Sequence, residues 1–325
     1  MESLFLFPGQ GSQKPGMGQF LYDNFAVARE TFEEASDSLK IDFKKLCFNG
    51  SESDLAMTEN TQPCLLLVST VTHRVLKSLF PLIPKAAAGH SIGEYAAVVS
   101  AGAMPFGPAL QAVRIRGQAM QEAVPVGQGG MVAVLGLEEE QVKVLCQLSK
   151  ERSGLGVVEA ANFNSPGQVV VSGHQKALDW MRANVKAEEL PGAPKRMKFI
   201  PLQVSAPFHC SLMKPAEEKM RFVLGDIPFQ DATFPIVQNF TAQAVTAGPE
   251  LRENLIRQVS GSVLWMQGAL TLKQMGTRTS LELGCGTVIS GLMKKIDSGA
   301  FDIFNVNSLE DIETLEKFIK EKGQK

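Results

Sequence analysis

Short apolar runs alternate with amphipathic stretches along most of the chain. Runs typical of buried strands occur at 3–7, 85–89, 131–135, 156–160, 168–172, 196–202, 235–239, 280–283 and 301–306. Helical spacing of apolar residues predicts helices at 20–46, 61–80, 105–124, 138–150, 176–185, 215–224, 249–259, 265–275, 287–296 and 309–322. Strands that alternate with helices predict an α/β fold with a mostly parallel sheet, covered by helices on both faces.

The middle of the chain has a different pattern. Between 129 and 202 the predicted elements follow the order βαββαβ, which is that of a ferredoxin-like unit. The length of this stretch suits an insertion into a larger domain. We therefore predict a large domain formed by 1–126 and 203–325, and an inserted small subdomain at 127–202.

Composition excludes several classes of protein. The chain has 325 residues and a net charge of −2, so its overall charge provides no attraction to nucleic acid or to an anionic membrane surface. No apolar run reaches the ~18 residues of a membrane span, and the first residues read directly as a strand, so we expect no targeting segment. The five cysteines are scattered without CxxC spacing, which indicates reduced thiols in a cytoplasmic protein.

Residues 89–93 read Gly-His-Ser-Ile-Gly and lie between a predicted strand and a helix-forming segment. This pentapeptide fits the G-x-S-x-G nucleophile elbow, in which a serine occupies a sharp strand-to-helix turn. The flanking glycines are needed because a Cβ atom would collide with the neighbouring strand or helix. The N–H of Ile92 and the helix dipole would face a developing oxyanion. Ser91 is therefore the candidate nucleophile.

A serine nucleophile needs a proton acceptor, and histidine is the usual one near neutral pH. His73 lies inside a predicted helix and His174 opens another, so both are expected to be structural or solvated. His90 is expected to hydrogen-bond to backbone and shape the turn. His209 lies in a proline-marked loop where the inserted subdomain rejoins the large domain, and such loops commonly carry catalytic groups. Position makes His209 the best candidate base of the four.

Arg116 lies on the apolar stripe of the predicted helix 105–124, whereas Arg114 lies on its polar side. An arginine turned inward must meet an anion, because it cannot lose its charge and a lone buried charge is costly. That anion is either an internal Asp or Glu or a group of the substrate. The residue pattern alone leaves both possibilities open.

Several longer motifs carry a resemblance to a known family. They are Phe7-Pro-Gly-Gln-Gly-Ser-Gln13, Thr61-Gln-Pro63, Gly89-His-Ser-Ile-Gly-Glu-Tyr95, Arg116-Gly-Gln-Ala-Met-Gln-Glu-Ala-Val-Pro125, Asn162-Phe-Asn-Ser-Pro-Gly-Gln168, Phe208-His-Cys-Ser-Leu-Met-Lys-Pro215 and Arg257-Gln258. In this order, nearly end to end, the chain resembles the malonyl-CoA:acyl carrier protein transacylases of bacterial-type fatty-acid synthesis. The resemblance implies an α/β-hydrolase-like large domain with a ferredoxin-like insertion.

The resemblance also implies a role for each catalytic group. Ser91 would attack the thioester carbonyl of malonyl-CoA in a ping-pong reaction, and His209 would accept its proton. The backbone carbonyl of Gln258 would orient that histidine, in place of an acidic residue. The backbone N–H groups of Gln10 and Ile92 would form the oxyanion hole.

A second set of residues would bind the substrate. Arg116 would hold the malonyl carboxylate with its two-pronged guanidinium, while Gln62 and Asn162 would line the acyl pocket. His90 would support the site, and Phe208 matches members that select malonyl groups. No metal or prosthetic group is implied.

The implied partners are malonyl-CoA and an acyl carrier protein, and we expect a monomer. Carrier proteins are generally acidic, so basic clusters near the site are candidates for the docking surface, although charge runs are usually just solvated. These clusters are Lys195, Arg196 and Lys198, and separately Lys294 and Lys295.

Three alternatives remain at this point. A serine thioesterase or esterase would use water as the acceptor and usually a carboxylate partner for its base. A non-catalytic module would only dock a carrier protein. A malonyl transferase of polyketide assembly would keep the chemistry and serve a different carrier.

Overall fold

The computed structural model describes residues 1–204 and 206–323. Its strands are β1 (Glu2–Phe7), β2 (Ile83–Gly89), β3 (Gly129–Leu135), β4 (Val158–Ser165), β5 (Gln168–His174), β6 (Lys198–Pro201), β7 (Ile236–Val237), β8 (Ala244–Val245), β9 (Thr279–Glu282) and β10 (Asp302–Asn305). Six of these strands form one sheet and four form another.

Fourteen α-helices lie in the described residues. They are α1 (Gln19–Asn24), α2 (Ala26–Leu39), α3 (Phe43–Asn49), α4 (Glu52–Ala56), α5 (Thr58–Leu79), α6 (Gly93–Ser100), α7 (Phe106–Glu122), α8 (Glu139–Ser153), α9 (Gln175–Asn184), α10 (Lys214–Gly225), α11 (Gly248–Gln258), α12 (Trp265–Gln274), α13 (Val288–Ile296) and α14 (Leu309–Gly323). None of the helices in the described ranges is long and apolar enough to cross a membrane.

The larger sheet has the strand order β10-β9-β1-β2-β7-β8. All its neighbouring pairs are parallel except β7 and β8, which are antiparallel. The predicted mixed α/β fold with a mostly parallel sheet is confirmed. Because the carboxyl ends of parallel strands meet at one edge, the turns after β1 and β2 lie side by side there.

Both faces of the larger sheet are buried, as the near-continuous apolar strands predict. In β1, Phe5 and Phe7 pack into a core with α2, α5 and α7. Leu4 and Leu6 point to the other face and pack against α12 and α13. The turn that carries Ser91 follows the neighbouring strand β2, whose last four residues are likewise buried.

The smaller sheet has the order β4-β5-β3-β6, with antiparallel neighbours throughout. Together with α8 and α9 its strands follow the order βαββαβ along the chain, and they enclose a separate core that includes Val134 and Leu145. Strand β4 also pairs with the segment that precedes α12: Val263 N donates to Ala161 O (2.8 Å), and Phe163 N donates to Val263 O (2.9 Å).

Several elements differ from the prediction: α4 and β8 were not predicted, and one helix and one connection have different bounds. The predicted helix 20–46 is three helices, because Phe25 is extended and Lys40 adopts a left-handed conformation. Asp42 then starts α3 by accepting a hydrogen bond from Lys45 N. The predicted strand 156–160 is β4 at 158–165, so the stretch from Asn162, expected to be a connection, continues the strand. Apolar periodicity does not detect such breaks and polar strand ends.

Candidate active site

Ser91 lies on the turn between β2 and α6. Its φ angle is +51°, in the left-handed region that non-glycine residues seldom adopt. A Cβ atom on Gly89 would come within 2.0 Å of Gly93 C, and one on Gly93 would come within 2.3 Å of Phe7 O. Both glycines of the pentapeptide are therefore required by the close approach of backbone, as the sequence predicted.

The side chains of Ser91 and His209 are in direct contact. Ser91 Oγ lies 2.7 Å from His209 Nε2, and His209 Nδ1 lies 2.8 Å from the backbone carbonyl oxygen of Gln258. A carbonyl can only accept a hydrogen bond, so the proton of a neutral imidazole lies on Nδ1. This leaves Nε2 free to accept the proton of the serine hydroxyl.

His209 is buried, with 3% of its surface exposed. Burial, followed by the nearby positive charge of Arg116, lowers the pKa of His209 to about 3. The imidazole is therefore neutral at physiological pH, which is the form that can act as a base. Its own φ angle is +58°, so the loop presents the ring from an unusual backbone conformation.

Arg116 is 1% exposed, on the inner face of α7. Its Nη2 donates to Gln258 Oε1 (2.9 Å) and Ser91 Oγ (3.3 Å), whereas its Nε has no hydrogen-bond partner among the described residues. Burial lowers the pKa of this guanidinium, and Tyr95 and Glu94 act in the opposite direction. No salt bridge among residues 1–204 and 206–323 involves Arg116. Of the two anions left open by the sequence, an internal ion-pair partner is not present in this part of the chain.

The backbone N–H groups of Gln10 and Ile92 lie at the carboxyl ends of β1 and β2. Within the described part of the chain neither N–H group donates to another residue. Ile92 precedes the first turn of α6, where N–H groups lack partners inside the helix. Backbone N–H groups without partners are what an oxyanion hole requires, so these two remain candidates for that role.

A cavity of about 150 Å³ opens above Ser91. It is lined by Gln10, Gln62, His90, Ser91, Arg116, Met120, Met131, Asn162, Asn164, Val170, Leu202, Val204, Phe208 and His209. The cavity thus brings together most of the residues singled out in the sequence for catalysis and substrate binding, whereas Ile92 and Gln258 do not line it. In the part of the chain that the structure describes, the buried Oε1 of Gln62, like Arg116 Nε, has no hydrogen-bond partner. Such groups are costly unless a ligand satisfies them.

The expectation for His90 is wrong in one respect. Its Nε2 lies 2.8 Å from the side-chain oxygen of Asn164, not from backbone. The ring also packs at 5.6 Å against Trp265. Because Asn164 belongs to β4, His90 joins the nucleophile turn to the smaller sheet. His174 is structural, since its Nδ1 accepts a hydrogen bond from Val157 N (2.9 Å).

Two residues behind the nucleophile were not singled out in the sequence. Asn239 Oδ1 accepts from Ser91 N (2.7 Å), and Asn239 Nδ2 donates to Gly89 O (2.7 Å), so one side chain holds both ends of the turn. Glu94, on the first turn of α6, is fully buried and accepts from Asn239 N (2.7 Å). The sequence held one signal for each residue. Glu94 is a charged residue in the apolar first turn of a helix, and Asn239 is a polar residue at the end of a predicted strand.

The chain matches a family of acyltransferases, which is consistent with a serine nucleophile beside a histidine base. The family model described as "Acyl transferase domain" matches residues 4–285. The chain belongs to this acyltransferase family.

Named relatives of this acyltransferase extend over nearly the whole chain. It is 40% identical to the malonyl CoA-acyl carrier protein transacylase of Bacillus subtilis, over 97% of this chain and 96% of that protein. It is 40% identical to the corresponding Escherichia coli K12 protein, over 90% and 92%.

Two solved structures are similar to this one over nearly the whole chain. FabD from Acinetobacter baumannii superposes with a TM-score of 0.89 at 41% identity, covering 96% of both chains. A malonyl-transacylase solved in complex with a type II PKS acyl-carrier protein gives a TM-score of 0.89 at 38% identity, covering 97% of this chain and 98% of that one.

Proposed function

We propose that the chain transfers the malonyl group of malonyl-CoA to the phosphopantetheine thiol of an acyl carrier protein, through a malonyl ester of Ser91. The observation that carries the proposal is the buried guanidinium of Arg116, which lies beside the nucleophile without a carboxylate partner in the described residues. A substrate that ends in a carboxylate supplies the missing anion. The names of the relatives that cover nearly the whole chain support the same substrate.

In the first half-reaction Ser91 Oγ attacks the thioester carbonyl carbon while its proton passes to His209 Nε2. The carbonyl oxygen becomes an oxyanion, which the backbone N–H groups of Gln10 and Ile92 stabilise. Each donor in such a hole is worth about 10²–10³ in rate. Collapse of the tetrahedral intermediate breaks the carbon–sulfur bond, and the departing CoA sulfur takes the proton from His209.

The second half-reaction reverses these roles. The pantetheine thiol gives its proton to His209, and its sulfur attacks the ester carbonyl of malonyl-Ser91. The same oxyanion hole serves the second intermediate, and Ser91 leaves with the proton restored to its oxygen. Because a thioester is converted into an ester and back, little net free-energy change is required.

Arg116 would select malonyl groups partly by disfavouring acyl groups that lack a carboxylate. A malonyl carboxylate can accept from its unpartnered Nε, whereas an acetyl group would leave the buried charge unpaired. Gln62, Asn162 and Phe208 line the remaining walls of the cavity and would restrict the acyl group to a short one. His90 would hold the turn through Asn164.

A second setting for the same chemistry is polyketide assembly. One structurally similar protein is a malonyl-transacylase bound to a type II PKS acyl-carrier protein. A fatty-acid carrier and a polyketide carrier both present a phosphopantetheine thiol. We propose fatty-acid synthesis as the principal role and polyketide synthesis as the alternative. A simple esterase is disfavoured, because its substrates do not need a buried arginine beside the serine.

We also propose the domain assignment that goes with this function. The larger sheet and its helices would form an α/β-hydrolase-like domain from 1–126 and 203–325, and 127–202 would be a ferredoxin-like insertion. The separate core of the smaller sheet and its strand order support this division.

We propose a cytoplasmic location and a monomeric protein. All five cysteines are free and buried, which suits a reducing compartment; they are Cys47, Cys64, Cys146, Cys210 and Cys285.

A chase experiment tests transfer against hydrolysis. The enzyme is mixed with malonyl-CoA, separated from the excess, and divided between buffer and an acyl carrier protein that bears phosphopantetheine. We expect the malonyl adduct to persist in buffer and to move to the carrier on mixing, with Ser91→Ala forming no adduct. Rapid release of malonate into buffer would instead favour the thioesterase alternative, and no adduct at all would favour a docking module.

A further inference from the structure

Glu94 is a fully buried carboxylate that the acyl-transfer steps above do not use. It lies three residues after the nucleophile, on the first turn of α6. Its Oε1 accepts from Gln238 Nε2 (3.0 Å), and its Oε2 accepts from the backbone N of Asn239 (2.7 Å) and from Gln258 Nε2 (3.1 Å). No salt bridge within the described ranges includes it. A buried charge held only by neutral donors is costly and calls for a reason.

Gln258 connects this carboxylate to the catalytic groups. Its side-chain Nε2 donates to Glu94 Oε2 and to the carbonyl oxygen of Ser91 (3.0 Å), while its Oε1 accepts from Arg116 Nη2 (2.9 Å). Its backbone oxygen accepts from His209 Nδ1 (2.8 Å). One residue therefore contacts the nucleophile, the base and the arginine.

The orientation of the Gln258 amide follows from its neighbours. An ionised carboxylate can only accept hydrogen bonds and a guanidinium can only donate them. The amide nitrogen faces three acceptors, Glu94 Oε2, the carbonyl oxygen of Ser91 and Asn239 Oδ1 (3.3 Å), and Glu94 is the charged one among them. The amide oxygen faces the arginine. If Glu94 lost its charge, the nitrogen side of the amide would lose its charged acceptor, and Oε1 would be held less firmly against Arg116 Nη2.

We propose that Glu94 is a positioning residue, which sets Arg116 for the malonyl carboxylate by fixing the Gln258 amide between them. The proposal rests on the proposed role of Arg116 as the carboxylate-binding group. The indirect connection has a clear advantage over an ion pair. A carboxylate in direct contact with Arg116 would occupy the N–H groups that the substrate needs, whereas the amide holds Nη2 and leaves Nε without a partner.

Burial raises the pKa of Glu94 to about 7, although its three hydrogen bonds and the charge of Arg116 act against this rise. The charged and titratable groups that act on it or respond to it are Arg116 from α7 and Tyr95 from its own helix. The carboxylate is the form that fixes the amide. The positioning therefore weakens as the pH falls through about 7 and Glu94 takes up a proton.

The test compares two buried carboxylates that differ in their distance from the nucleophile. Glu282 accepts from Ile289 N (3.0 Å) and Ser290 N (2.9 Å) at the start of α13, and it is 1% exposed. Glu94→Gln and Glu282→Gln make the same isosteric change. The readout is the ratio of kcat/KM for malonyl-CoA to that for acetyl-CoA, with thermal unfolding recorded for each variant.

We expect Glu94→Gln to lower the malonyl-to-acetyl ratio about tenfold or more, chiefly through the malonyl KM, while Glu282→Gln loses stability and keeps the ratio within about twofold. A folded Glu94→Gln variant with the wild-type ratio overturns the proposal, as does an equal fall in both variants. Arg116→Ala is measured alongside. If it too keeps the wild-type ratio, the proposed role of Arg116 has failed; if it alone lowers the ratio, only the inference about Glu94 has failed.

If Glu94→Gln does not fold, the pH dependence of the wild-type enzyme tests the same proposal. The malonyl-to-acetyl ratio is followed between about pH 8 and pH 6. The carboxyl of a malonyl thioester and the neutral His209 do not titrate in this range, since burial and Arg116 hold the pKa of His209 at about 3. A ratio that falls as the pH is lowered supports the proposal, and a flat ratio overturns it.

Discussion

Ser91 and His209 both hold left-handed backbone conformations, with φ angles of +51° and +58°. Residues other than glycine adopt such angles at a cost, and the surrounding structure must supply the compensation. At Ser91 that compensation is visible: Asn239 bonds to the N–H of the serine and to the carbonyl of Gly89. The geometry of the nucleophile therefore depends on a side chain 148 residues away, two residues after the end of β7.

Asn239→Ala should loosen the nucleophile turn. We expect kcat to fall about 10- to 100-fold, because small displacements of a nucleophile are costly in rate. Asn254→Ala is the matched control: Asn254 Nδ2 bonds to Gln238 Oε1 (2.7 Å) in the same buried network and does not contact the turn. It should lower the melting temperature with little loss of kcat. Equal losses of kcat in both variants would contradict a specific role for Asn239.

At the scale of single residues, the sequence predicted the groups that carry a motif. Ser91, its glycines and the inward Arg116 followed from a pentapeptide and a helical stripe. The partner of His90 and the hydrogen-bond partners of Glu94 could not be predicted, because both depend on contacts with distant elements. Whether Arg116 met an internal anion was likewise a question only tertiary structure could answer.

Among the elements, β4 contacts three separate segments of the site. Asn164 bonds to His90, and Phe163 pairs with Val263, five residues after Gln258. Glu159 also accepts from Ser211 N (2.7 Å) and Ser211 Oγ (2.8 Å), two residues beyond His209. One strand of the smaller sheet thus contacts the nucleophile turn, the histidine loop and the segment that orients the histidine.

Glu159→Ala should release the histidine loop from β4. We expect kcat to fall about tenfold with the KM for malonyl-CoA nearly unchanged, since the base and not the acyl pocket is displaced. Hydrogen exchange at 210–213 should become faster. Glu253→Ala serves as the control, because that carboxylate forms a surface ion pair with Arg221. A wild-type kcat in Glu159→Ala would mean that the loop holds His209 without β4.

The edge strand β6 is the element on which we expect the carrier protein to dock. It leads from the exposed Lys195, Arg196 and Lys198 to Leu202 and Val204, which line the cavity. The second basic cluster lies at the end of α13, where the side chain of one lysine donates to Gln168 Oε1. Position relative to the cavity therefore favours the first cluster.

Charge reversal at Lys195 and Arg196 should raise the KM for an acidic carrier about three- to tenfold and leave the KM for malonyl-CoA unchanged. The effect should shrink at high salt, because exposed charges are screened. The same reversal at Lys294 and Lys295 is the control and should change neither constant. If the two double variants behave alike, the docking surface lies elsewhere.

At the scale of the whole molecule, the alternation of strands and helices was sufficient to predict the parallel sheet and the βαββαβ order within 129–202. Element ends were less accurate. The first long helix is divided at Phe25 and Lys40, and these breaks come from backbone conformation and the cap at Asp42, not from a change in apolar spacing. The returning segment after β6 includes residue 205, which lies outside the described residues.

The pH dependence of stability should reflect histidines that are held neutral in the fold. Burial, then the charges of Lys77 and Arg74, lower the pKa of His73 from 6.5 to about 4. The unfolded chain therefore binds more protons than the folded one between these values, so stability falls as the pH drops from about 6.5 to 4. His73→Gln should lose less stability over this range than the wild type in thermal unfolding. A parallel pH profile would contradict this account.

The central claim is that Ser91, His209 and Arg116 form one site for a malonyl group. The most direct test is intact-protein mass spectrometry after incubation with equal amounts of malonyl-CoA and acetyl-CoA. We predict a malonyl adduct on the wild type, no adduct on Ser91→Ala, and loss of the malonyl preference in Arg116→Ala. An adduct on Ser91→Ala, or an unchanged malonyl preference in Arg116→Ala, would contradict the account.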